Sequence, residues 1–99
     1  MTSQHYLTDR KERENIIQSI GLGNPIATIT VDKGHRNGPE RHELTSTGII
    51  IIYNAYTNKL VTKLIARPGQ VRRFFQDGKT PQDLIALAAK HQALNFNKI

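Results

Sequence analysis

Apolar and polar positions alternate along the chain at intervals that separate helical from extended segments. Near the N-terminus Ile16, Ile17 and Ile20, with Leu7 extending the stripe, recur at helical spacing and predict a helix over residues 5–20. Thr8 suits its N-cap, Asp9 and Glu12 its first turn, and Gly21 and Gly23 its end. The i,i+4 pairs Asp9–Arg13 and Arg10–Glu14 mark the opposite side as solvated, and packing alone accounts for such a helix. Gly21-Leu22-Gly23-Asn24-Pro25 then breaks the chain. It lacks the third glycine of a phosphate loop and precedes a strand, so it is not read as one.

Residues 26–32 alternate, Ala27, Ile29 and Val31 against Thr28, Thr30 and Asp32, which predicts a half-buried strand. Residues 33–43 are polar throughout, with Gly34, Gly38 and Pro39, and are expected to form a long functional loop. Ile49, Ile50, Ile51, Ile52 and Tyr53 make a strand apolar on both faces, hence central to a sheet. A hairpin over residues 54–58, with Tyr56 exposed at its tip and Tyr53 packed at a strand end, leads into a strand over 59–67. Alternation there places Lys63 and Arg67 on one side, projecting together. Pro68-Gly69 is expected to end that strand. A short strand or extended arm over 70–76 should follow, carrying Arg72, Arg73, Phe74 and Phe75, with at most one phenylalanine exposed. Asp77-Gly78 makes a turn. Thr80 as N-cap, Pro81 at the first position and Asp83 near the dipole start a helix running to about His91, itself expected on the surface. The order predicts a single α+β domain over residues 1–99: an N-terminal helix, an antiparallel three- to four-stranded meander and a C-terminal helix.

Length and composition narrow the function classes. Ninety-nine residues leave room for one core. The longest stretch without a charge, 44–58, is interrupted by Thr45, Ser46, Thr47, Asn54 and Thr57, so no membrane span is expected. Charged residues such as Asp9, Arg10, Lys11 and Glu12 occupy the place of a leader's apolar core. The absence of cysteine excludes disulfides, thiolate chemistry and cysteine-ligated zinc, and a cytoplasmic location is expected. Fourteen Lys and Arg against eight Asp and Glu give a net charge of +6. Between residues 59 and 79 stand six cations against Asp77 alone, and a clustered excess of this kind favours a polyanionic partner.

The densest chemistry lies between Lys33 and Thr45. Histidine titrates near neutral pH, so His35 and His42 are candidates for the base and acid of a phosphodiester transesterification. Arg36, Arg41, Lys63 and Arg67 could stabilise the phosphorane, and Thr45 or Thr47 could bond a phosphate oxygen. The catalytic candidates are thus His35, His42, Arg41 and Arg67, with Lys33, Arg36, Thr45, Lys63, Arg72 and Arg73 as RNA contacts. Arginines beside Phe74 and Phe75 can clamp phosphates and stack on unpaired bases. His35 and His42 stand seven apart with no H-E-x-x-H spacing, so no metal site and no cofactor are expected.

The run 34–43 (Gly-His-Arg-Asn-Gly-Pro-Glu-Arg-His-Glu), followed by 47–54 (Thr-Gly-Ile-Ile-Ile-Ile-Tyr-Asn) and 63–70 (Lys-Leu-Ile-Ala-Arg-Pro-Gly-Gln), resembles small phage- and mobile-element-borne members of the barnase–EndoU–colicin–RelE superfamily. The resemblance covers roughly residues 26–75. It implies a metal-independent, toxin-like endoribonuclease acting on RNA and held by an antitoxin or immunity protein. His35, Arg36, Arg41 and His42 match the loop set, and Arg67 matches a cation at a strand end. The C-terminal segment carries no catalytic signature of the superfamily. A basic module that binds nucleic acid or protein without chemistry is the alternative.

Overall fold

A computed structural model describes residues 10–32, 34, 38–75 and 78–97. Its elements are α1 (Arg10–Ile20), β1 (Pro25–Val31), β2 (Glu40–Thr45), β3 (Ile49–Asn54), β4 (Leu60–Ile65), α2 (Pro68–Arg72) and α3 (Gln82–Asn97). The strands form one antiparallel meander in the order β1-β2-β3-β4, so the α+β expectation holds with four strands.

Several segments differ from expectation. Residues 40–43, read as the end of a loop, form β2 together with Leu44 and Thr45, paired with β1 on one side and β3 on the other. Residues 70–72, read as extended, belong to α2. Pro68 there occupies the first helical turn after Arg67 in extended backbone (φ −96°, ψ 159°), and Gln70 Oε1 accepts the Arg67 N–H at 2.9 Å. His91, expected on the surface, is buried, and its Nε2–H donates to the Thr47 carbonyl at 3.2 Å. Helix α3 also runs on past His91 to Asn97. It begins one residue after Pro81, whose carbonyl accepts the Leu84 and Ile85 N–H groups, while Thr80 is buried.

Alternation along the strands gives the sheet two distinct faces. Leu44, Ile50 and Ile52 form one core with Ala66, Val71 of α2, and Leu84 and Ala88 of α3. Ile49, Ile51 and Ile65 point the other way and pack on Ile17 of α1, with Ile16, Ile20 and Tyr53 at the margin. The isoleucine run of β3 thus feeds both cores, as expected of a central strand. Gly48 closes the β2–β3 turn at φ +85°, where its carbonyl accepts the Ala66 N–H at 2.9 Å and His91 lies close by. Thr47 Oγ1 donates to the Gly21 carbonyl at 2.7 Å, tying this turn to the link between α1 and β1.

Candidate functional site

The positions of Arg41 and His42 follow from β2. Successive side chains of a strand point to opposite faces, so Arg41 and His42 part company. His42 lies opposite Ile29 of β1 and Ile52 of β3, on the α2–α3 face. Glu40, two residues away, shares that face, and its Oε1 accepts the His42 Nε2–H at 3.1 Å. A carboxylate in this place assigns the proton to Nε2 and leaves Nδ1 as the atom able to accept one. The His42 side chain is only 14% exposed.

Helix α2 brings the facing wall. Fully buried Val71 anchors it, which leaves Arg72 and Arg73 at the surface. Because Gln70 spends its carbonyl oxygen on the Arg67 N–H, its amide nitrogen remains as the donor end. Between this segment and β2 lies a cleft of about 200 Å³. Glu40, His42, Gln70 and Arg73 supply its polar groups, and Ile29, Ile52 and Phe74 are among its apolar lining. Next to it, Arg67, Gln70, Arg73 and Gln92 of α3 border a second hollow at the start of α2.

The α1 face holds a different set. Arg41 Nε donates to Glu43 Oε2 at 3.1 Å and its Nη1 to Asn58 Oδ1 at 2.6 Å, while the guanidinium lies 4.6 Å from the centre of the Tyr53 ring. Lys63 Nζ is 3.1 Å from Glu14 Oε2, and Arg13 donates to Thr62 Oγ1 at 3.2 Å.

The expected site is therefore divided. Of the catalytic candidates, His42 and Arg67 belong to the α2–α3 side and Arg41 to the α1 face, and His35 lies outside the described residues. The pairing of Lys63 with Arg67 fails because β4 ends at Ile65, after which the chain turns Arg67 toward α3. Among the RNA contacts, Arg72 and Arg73 are exposed, Arg73 on the cleft, whereas Lys33 and Arg36 lie outside the described residues. Thr45 is wholly buried, and its hydroxyl accepts the Ile49 N–H at 3.1 Å, a turn-holding role that keeps it from any phosphate. Thr47 is committed too, its hydroxyl donating to the Gly21 carbonyl.

Phe74 and Phe75 are both half-buried on the α2–α3 core, because residues 73–75 form a turn rather than a strand. Only Phe74 lines the cleft. Glu40, Gln70 and Ile29 are site residues that sequence reasoning missed. The signal for the first was present: Glu40 and His42 sit at strand spacing, i and i+2, and share a face once β2 is recognised. Among the described residues no three histidines, aspartates or glutamates gather where they could hold a metal ion, and no helix is long and apolar enough to cross a membrane. No protein-family profile, curated protein or solved structure matches the chain.

Proposed function

We propose that this domain binds RNA along its α2–α3 face and cleaves it by attack of a ribose 2′-hydroxyl, without a metal ion. The observation that carries the reading is the meeting of the His42–Glu40 pair with Arg73 in one cleft. His42 Nδ1 takes the 2′-hydroxyl proton as the 2′-oxygen bonds to phosphorus. The bond from phosphorus to the 5′-oxygen breaks, leaving a 2′,3′-cyclic phosphate and a 5′-hydroxyl whose proton comes from His35 in this scheme. Arg73 and Arg67 stabilise the charge that gathers on the phosphorane, and Arg72 holds the neighbouring backbone. The likeness of residues 26–75 to the barnase–EndoU–colicin–RelE superfamily supports the same chemistry, with an antitoxin or immunity protein as partner and the cytoplasm as the site of action.

The test is end-labelled RNA incubated with purified protein in chelator. Fragments ending in 2′,3′-cyclic phosphate are expected from the wild type. His42→Ala should yield them at least roughly 10²-fold more slowly while still binding RNA, and cleavage unchanged in that variant would overturn the assignment. A second reading, binding without cleavage, is favoured by the engagement of Arg41 and Lys63 with Glu43 and Glu14 on the opposite face. It predicts retention of intact RNA that weakens steeply with salt.

A further inference from the structure

The geometry points to a seat for a single unpaired nucleobase in the cleft beside α2, with Phe74 as its stacking surface; this rests on RNA being the ligand. The cleft measures about 200 Å³, whereas sites that enclose a whole small ligand run to roughly 300–1,000 Å³. It therefore fits one ring system of a larger molecule whose remainder lies outside. Its chemistry divides as a base does. Ile29, Ile52 and the Phe74 ring offer apolar surface to a π-face, while the Gln70 amide nitrogen can donate to a base edge and Glu40 can accept from one.

An apolar side chain from a protein partner would fill the same space but leave the Gln70 amide nitrogen without an acceptor, which is costly. The surroundings match a nucleotide. Arg72 and Arg73 are exposed directly before Phe74, and no carboxylate among the described residues pairs with either, so phosphates flanking the seated base meet cations. Phe75, equally close in sequence, does not line the cleft, so one aromatic carries the stacking. A base in a duplex is stacked on both sides and cannot enter. The seat thus selects single-stranded over double-stranded RNA.

The chain contains no tryptophan, so Phe74→Trp installs a unique reporter. The probes are a short single-stranded RNA with 2′-O-methyl riboses, which resists 2′-hydroxyl attack, and the duplex of the same sequence. Quenching of the introduced indole by the single strand and not by the duplex is expected. Phe74→Leu keeps apolar volume but removes the π-face, and should weaken single-strand binding about fivefold or more, the lower end of what one stacked base contributes. A melting curve confirms that each variant is folded. Undiminished binding by Phe74→Leu, or an unquenched Phe74→Trp that still binds the strand, overturns the base seat and leaves the RNA-binding face standing. A wild-type chain that binds neither probe overturns that reading and the seat together.

Discussion

On the α1 face Arg41 is held by Glu43, Asn58 and the Tyr53 ring, and Lys63 by Glu14, whereas on the α2 side Arg72 and Arg73 stand exposed with no carboxylate among the described residues set against them. Lys63 comes from the same basic stretch, residues 59–79, as Arg72 and Arg73, yet their electrostatic roles differ. A guanidinium already satisfied by a carboxylate, an amide and an aromatic ring gains little from a phosphate, because it must first give up those contacts. An unmatched cation on a cleft rim releases counterions when a phosphate arrives and gives nothing up. Charge counted along the sequence therefore overstates the working charge, and the partners each cation meets in the fold decide which part of it works.

The sharpest way to break this contrast is to mutate neighbours in β2. His42→Ala should lower RNA cleavage by roughly 10²-fold or more, the usual contribution of a positioned acid–base group, whereas Arg41→Ala should leave it within a few-fold. Equal losses in fragment assays would dissolve the distinction between the faces. Next in size, Leu44→Ala removes a wholly buried side chain from the α2–α3 core and should cost about 2–5 kcal/mol in denaturant unfolding. Thr45→Val, one residue on and directed to the other face, should cost about 1–3 kcal/mol, because the buried Ile49 N–H loses its acceptor. RNA affinity of the folded fraction should not change.

Smaller effects separate the cations. Replacing Arg72 and Arg73 with glutamine should reduce the salt dependence of single-stranded RNA binding by about 1.4 in log–log slope, two phosphate contacts at roughly 0.7 each. Lys63→Gln should leave that slope unaltered. It should cost at most about 1 kcal/mol of stability, since the Lys63–Glu14 pair is partly exposed and screened. A slope that responds to Lys63 and not to Arg72 and Arg73 would move the binding surface to the α1 face.

Much of the fold could be read from the residues alone. The isoleucine run of β3, the alternation of β1 and the glycine-marked breaks each carry a local signal, and all reappear as elements. Strand β2 carries none, because Glu40, Arg41, His42 and Glu43 are polar on both faces and only Leu44 is apolar. Pairing with β1 and β3 makes it a strand, and that information is not local. The misreading spread to the site, since a loop would let Arg41 and His42 converge where a strand holds them apart. Helix α2 was legible in principle: Pro68 at a helix start and Gln70 three residues after Arg67 are start signals, but the Pro-Gly pair reads more readily as a terminator. Thr45 reads as a surface hydroxyl because its commitment to the Ile49 N–H depends on the closed β2–β3 turn.

The most direct test of the central claim, that RNA works on the α2–α3 face, is a titration of ¹⁵N-labelled protein with 2′-O-methyl single-stranded RNA, followed by amide chemical shifts. Shifts should concentrate at His42, Gln70, Arg73 and Phe74, with Arg41, Glu43, Lys63 and Glu14 unmoved. Shifts confined to the α1 face, or no shifts at saturating RNA, would contradict it.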